Sequence, residues 1–354
     1  MSMPVPLSCF LLACVMTVVA SPAFAQGEPA AKRPDLEGVW SNQSLTNLSR
    51  QPGTKLSVTE QEAKDLVENN PWVLLAASEE GASDIGDDLL DDGNSDRGYN
   101  TFWIDPGQSL ARVKGEIRTS WLVEPADGRL PVSPAGLKAR SDAAARKRAT
   151  MYEGPETLPI AERCLIGFTN AGGPGMLNTI YNNNYQIVQA PDHVMILVEM
   201  VHDARIIPIA KSRSEAKHKP IAIQPWLGDS VGWYEGDALV VETRNVHPEQ
   251  ARQGQVILSP EGRLTERFSR ASDGQLLYTF EIDDPAYYTQ SWRAEMVMNK
   301  RDESIYEYAC HEGNYAMEGI LSGARLYEAK GLENKQGPGI FGPNAPPPKP
   351  KKRQ

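Results

Sequence analysis

The residues best suited to chemistry are concentrated in Glu199-Met200-Val201-His202-Asp203-Ala204-Arg205, a polar group inside an otherwise apolar run. A carboxylate beside an arginine can bind or polarise a ligand, and a histidine moves protons near neutral pH. Strand alternation puts Glu199, Asp203 and Arg205 on one face and His202 on the other. A bulge near Val201 would mix the faces and let all four converge. The competing reading is an ion network on the outside of a sheet, with His202 a hydrogen-bonded core residue. His311-Glu312 is a second proton-transfer candidate, and Gly313 after it predicts a tight turn placing both at a barrel mouth. Its alternative is loop packing. Tyr181, Asn183 and Tyr185 share one face of a third stretch and join Trp226 as ligand-binding candidates. Amides and phenols together suit a sugar, a phenol or a polycyclic molecule. Equally, those asparagines can satisfy loop backbone at a strand entrance.

Four cysteines occur, at 9, 14, 164 and 310. The first two fall in residues 1–25, which read as an export signal. The apolar run 7–20 is too short for a stop-transfer helix, Ser21-Pro22 breaks it, and Ala23-Phe24-Ala25 supplies small residues before a cut at Gln26. Leu11-Leu12-Ala13-Cys14 resembles a lipoprotein box, but the apolar run before it is too short. In an exported chain the remaining pair, Cys164 and Cys310, predicts a disulfide. Closing a loop of about 145 residues would stabilise by roughly 4 kcal/mol on the chain-entropy argument. The alternative is a thiolate at Cys310 activated by His311, although neighbours on a strand point to opposite faces.

Removing the signal leaves 354 − 25 = 329 residues, enough for one large domain or two smaller ones. The net charge of −10 argues against nucleic acid and against docking on an anionic membrane surface. No stretch after the signal is apolar for long enough to insert in a membrane. The five histidines, at 193, 202, 218, 247 and 311, have no mutual spacing suited to metal ligation. A Gly-x-Ser-x-Gly elbow and a dinucleotide fingerprint are both missing, and Gly172-Gly173-Pro174-Gly175 lacks the Lys of a phosphate loop. No metal and no cofactor is therefore expected. The partner implied is a small-molecule ligand or substrate.

The elements that must position these residues are mostly strands. Residues 35–41 open a first strand, and Gly38-Val39-Trp40 resembles the start of a calycin-type barrel. Thr59-Glu60-Gln61-Glu62 fits a capping box, which predicts a helix over 60–69. Residues 79–96 carry eight acidic side chains; Asp92-Gly93-Asn94-Ser95-Asp96 imitates a calcium loop, but Arg97 and Trp103 occupy its sixth and twelfth positions. A solvated acidic loop is expected. Residues 134–150 predict a surface helix. Period-two patterns then predict strands at 181–189, 194–207, 238–246, 264–270, 276–282, 292–298 and 304–311. Turn signals such as Glu235-Gly236-Asp237 and Ser272-Asp273-Gly274 make neighbouring strands antiparallel. The division expected is a signal at 1–25, an N-terminal segment at 26–110, a β domain at 111–333 and a disordered Pro/Lys-rich tail at 334–354. The fold class expected is mainly β, an antiparallel calycin-like barrel or a two-sheet sandwich with short N-terminal helices.

Several long motifs occur in order: PADGRLPVSPAG (125–136), GPETLPIAERCL (154–165), YNNNYQIVQAPDHVMILVEMVHDARIIP (181–208), WLGDSVGWYEGDALVVET (226–243) and IYEYACHEGNYAMEGILSGAR (305–325). In these the chain resembles a large family of exported bacterial proteins with no established activity. The resemblance covers about residues 115–325 and implies export to the periplasm or beyond, with the motifs combined in one domain. Two functions follow from the residues. One is an enzyme without a redox cofactor, a lyase, isomerase or hydrolase on a small organic or sugar-like substrate. In it His202 or His311 moves protons, Arg205 holds an anion, and Tyr181, Asn183 and Tyr185 orient the substrate. The other is a binding protein that holds an apolar or aromatic ligand in its barrel.

Overall fold

The computed structural model describes residues 33–74 and 104–332. The export signal, the acidic loop and the Pro/Lys-rich tail expected from the sequence lie outside the described residues. The architecture is mainly antiparallel β with few helices. Ten strands form the main sheet: β1 (Gly38–Ser41), β5 (Leu122–Glu124), β6 (Asn184–Gln189), β7 (His193–Val198), β8 (Ala204–Pro208), β9 (Asp229–Glu235), β10 (Ala238–Arg244), β11 (Arg263–Ser272), β12 (Gln275–Asp283) and β13 (Trp292–Arg301). Their order is β8-β7-β6-β1-β13-β12-β11-β10-β9, with β5 added beside β13. One parallel bridge, Ile209 with Gly232, joins the two ends of this path. A small second sheet pairs β2 (Ser57–Val58), β4 (Glu116–Arg118) and β3 (Arg112–Val113).

Alternation explains why these strands pack. Leu276, Tyr278, Phe280 and Ile282 of β12 are buried, and so are Trp292, Ala294, Met296 and Met298 of β13. Both sets point into one core with Trp40, Tyr185, Ile196 and Phe268. β1 stands between β6 and β13 through Trp40↔Tyr185 and Trp40↔Lys300, so the segment before residue 110 supplies a central strand. The Trp40 indole donates to the Leu36 carbonyl at 2.9 Å, and the Arg270 guanidinium lies 5.3 Å from its ring centre.

The helix after Thr59, α1 (Glu60–Glu68), forms as its capping box predicts. Thr59 Oγ1 accepts from the Glu62 amide, and Glu62 Oε2 accepts from the Thr59 amide at 2.8 Å. The helix α2 (Pro134–Thr150) starts on the Ser133 cap and buries only Gly136, as expected for a surface helix. Two expectations need correction. The strand expected over 194–207 is two strands, β7 and β8, separated by a tight turn at Met200–His202. No strand forms at 304–311; that stretch is irregular and leads into a third helix, α3 (Tyr315–Ala329). Here the alternating residues have no neighbouring strand to receive their backbone groups, and pattern alone does not make a ladder.

Candidate functional site

Cys164 and Cys310 form the disulfide, with sulfurs 2.08 Å apart and Cα atoms 5.7 Å apart. It ties the irregular stretch after β13 to the loop that precedes β6. Cys310 is therefore not a free nucleophile. His311 and Glu312 follow it on an exposed loop, and neither side chain has a partner among the described residues.

The group 199–205 is not brought to one point. Val201 and His202 both adopt left-handed backbone, with φ of 60° and 41°. For a β-branched residue such as Val201 this conformation is strained. The turn aims the four side chains in separate directions. Glu199 is buried and accepts from the backbone and side-chain amides of Asn184 at 3.3 and 2.8 Å. His202 is exposed. Asp203 accepts from the Gly167 amide at 3.1 Å; burial pushes its carboxyl up to about 6, and that hydrogen bond opposes the shift. Arg205 goes into the core.

Inside, Arg205 and Glu266 make a two-pronged ion pair, Nη1–Oε1 at 2.8 Å and Nη2–Oε2 in close contact. Tyr278 donates to Glu266 Oε1 at 2.8 Å, and the hydroxyls of Ser230 and Thr243 lie 3.4 and 3.3 Å from Nη2. Burial lowers the affinity of Arg205 for its proton, but the charge of Glu266 outweighs it and the net shift is upward. Burial raises the Tyr278 phenol far above its ordinary value, and the negative Glu266 adds to it. The network is buried, and within it Arg205 Nε has no hydrogen-bond partner among the described residues.

The proposed ligand contacts are likewise dispersed. Tyr185 is buried; its hydroxyl donates to the Ala171 carbonyl and accepts from Asn42. Asn183 spends its amide on Thr179, accepting from the backbone N–H at 2.7 Å and donating to the carbonyl at 3.0 Å. Tyr181 packs edge-on against Phe168, and burial raises its phenol well above the ordinary value, with Tyr308 adding to the shift. Trp226 lies against the His247 ring, centres 3.9 Å apart, and burial lowers the His247 proton affinity. These four do not line one common cavity.

Two arrangements went unread in the sequence. His218 has a carboxylate on each ring nitrogen, Asp229 on Nδ1 at 3.0 Å and Glu242 on Nε2 at 3.1 Å. Lys219 and Arg244 complete the cluster, the Lys219 amide donating to Asp229 and Arg244 Nε to Glu242. In the β9–β10 register Asp229 pairs with Arg244 and Glu242 with Val231, so the two carboxylates are diagonal neighbours whose separation the hairpin sets.

The other is a cleft of about 500 Å³ between α1 and the face of β12–β13 that points away from the core. Glu60, Ala63, Lys64 and Val67 form one wall; their spacing of three and four residues is one stripe of a helix. Gln108 to Arg112 form a second wall, and Val297, Ile117 and Trp121 lie beneath. Four carboxamides, Gln43, Gln108, Gln275 and Asn299, line it. Gln275 and Asn299 are register partners across β12 and β13, and Gln275 Nε2 donates to Asn299 Oδ1 at 2.9 Å. The period-two pattern over 276–282 and 292–298 was legible, and with it the outward direction of Val297; Gln275 and Asn299 lie just beyond those bounds, in the strand extensions the structure adds. What covers that face comes from residues more than 150 positions earlier and carries no local signal.

Among the described residues no group of His, Cys, Asp and Glu has the geometry of a metal site, and no helix is long and apolar enough to cross a membrane. No family model, no curated protein and no solved structure matches this chain.

Proposed function

We propose that this chain is an exported binding protein, periplasmic or secreted, that holds a small organic or sugar-like molecule in the cleft between α1 and β12–β13. The observation that carries this reading is the cleft itself: a concave site with a buried apolar floor and a few convergent amides, the usual make-up of a small-molecule site. The scaffold belongs to the same proposal. The bridge between Ile209 and Gly232 supports a calycin-like barrel whose strand path meets at its ends, with an interior filled by Trp40, Phe268, Tyr278, Phe280 and Trp292. A ligand in that interior would have to displace packed aromatic side chains, which favours the outer cleft over the barrel. The disulfide fits an oxidising compartment, and the motif resemblance to exported bacterial proteins agrees with it.

Binding is favoured over catalysis because, among the described residues, neither His202 nor His311 has a carboxylate within hydrogen-bond reach. A catalytic reading would have to move to His218, whose two carboxylates give it the stronger proton-transfer geometry. A thermal-shift panel of small organic molecules, followed by chemical analysis of each hit, separates the two. A hit recovered unchanged, whose stabilisation disappears when Val67→Trp fills the cleft, is the expected result. A hit converted to product, with turnover lost in His218→Ala and kept in Val67→Trp, would overturn the proposal.

A further inference from the structure

The Gln275–Asn299 pair has a chemical specificity that the cleft alone does not explain. Each side-chain amide carries one acceptor oxygen and one donor nitrogen. The bond from Gln275 Nε2 to Asn299 Oδ1 leaves Gln275 Oε1 as a fixed acceptor beside the Asn299 Nδ2 donor. Exchanging oxygen and nitrogen in both amides leaves the same outcome, one acceptor next to one donor. A third amide adds to it: Gln43 Nε2 donates to the Asp105 carbonyl at 3.1 Å, which leaves Gln43 Oε1 available as a second acceptor.

The charges around the cleft are spent on one another. Arg112 pairs with Glu60 in close contact, and Lys64 lies 3.8 Å from Glu68. A charged ligand would compete with these pairs, whereas a neutral one would not. We propose that the Gln275–Asn299 amide pair recognises a vicinal diol, so that the molecule held in the cleft is neutral and hydroxyl-rich, a pyranoside in type. One hydroxyl donates to Gln275 Oε1 while its neighbour accepts from Asn299 Nδ2, and the carbon skeleton lies toward Val297 and Ile117. A peptide backbone also offers adjacent donors and acceptors. It is disfavoured because β12 and β13 both have neighbours on each side, leaving no free edge for main-chain pairing.

This inference rests on the reading of the cleft as a binding site, and the experiment keeps the two apart. The full chain is titrated with methyl α-D-glucopyranoside, methyl α-D-mannopyranoside and trehalose, and separately with benzoate and triglycine, while the side-chain amide signals are followed by NMR. A pyranoside is expected to saturate, to move the Gln275 and Asn299 amide signals, and to lose about tenfold in affinity in Gln275→Ala and in Asn299→Ala. Because Asn299 is exposed, Asn299→Ala should keep the wild-type melting temperature, which guards against a folding artefact. Pyranosides bound equally well by both variants, or binding in the cleft by benzoate or triglycine alone, would overturn the diol inference and leave the cleft reading in place. If no probe perturbs the cleft amides, both fall.

Discussion

Arg205 and Glu266 meet on the inward face of the main sheet, while Gln275 and Asn299 meet on the outward face of the same sheet. The first pair is charged and buried, and apart from Arg205 Nε its polar atoms are engaged with each other and with Tyr278, Ser230 and Thr243. The second is neutral, reachable by solvent, and leaves half of its hydrogen-bonding capacity unused. Polar residues inside a β protein thus divide by face. Inward, desolvation favours pairing each charged group with a protein partner, and what results specifies packing. Outward, a fixed amide pair under a helix can keep free groups for a ligand. Of the polar residues most conspicuous in the sequence, Glu199 and Arg205 are buried, whereas His202 is exposed.

The sharpest way to test that contrast is to break the inward pair. Arg205→Met leaves Glu266 as an uncompensated buried charge and should cost about 3–5 kcal/mol in chemical denaturation. Adding Glu266→Met should recover most of the loss, because the desolvation cost then disappears with both charges. If Arg205→Met instead left stability intact and weakened ligand binding, the division by face would be wrong. Reducing the disulfide, or replacing Cys164 by Ser, should cost roughly 4 kcal/mol, since the bond spans a sequence separation of 146. Ligand affinity at the cleft should be unchanged under conditions where the reduced protein still folds.

Smaller effects sharpen the contrast further. The folded Asp203 carboxyl, raised to about 6, lies above its ordinary 3.8, so the folded state binds that proton more tightly. Its contribution to stability is full below about pH 4 and is lost as pH rises through about 6. Asp203→Asn should therefore be more stable than wild type at pH 7, by about 1 kcal/mol, with the gap closing toward pH 4. Denaturation at both pH values measures it. On the outward side, Thr59→Ala removes the cap of α1 and should cost about 1 kcal/mol. Because α1 is a wall of the cleft, this variant should also weaken ligand binding, which none of the inward substitutions should do while the protein stays folded.

Much of the scaffold was legible. Alternation in 276–282 and 292–298 placed Tyr278, Phe280, Trp292 and Met296 in the core, and Thr59-x-x-Glu62 fixed the start of α1. Gly-containing turns set the antiparallel pairs β9–β10 and β11–β12. The candidate site was far less legible. A strand drawn through 194–207 gave Glu199, Asp203 and Arg205 a common face; Val201 in left-handed backbone destroyed that parity. Such a turn has no glycine to announce it and is maintained by the tertiary contacts around it.

Periodicity, caps and cysteine count were therefore enough, taken from the chain alone, to define a mainly antiparallel β protein with one disulfide and a capped helix near its start. These features depend on residues close in sequence, or on a pairing with no competitor. Which polar residues meet was decided only in three dimensions. Arg205 finds Glu266 across 61 positions, and Ala63 and Val297 come to line one cleft. Long-range pairing of that kind follows from the order of strands and the burial of faces, which local residue preferences do not encode.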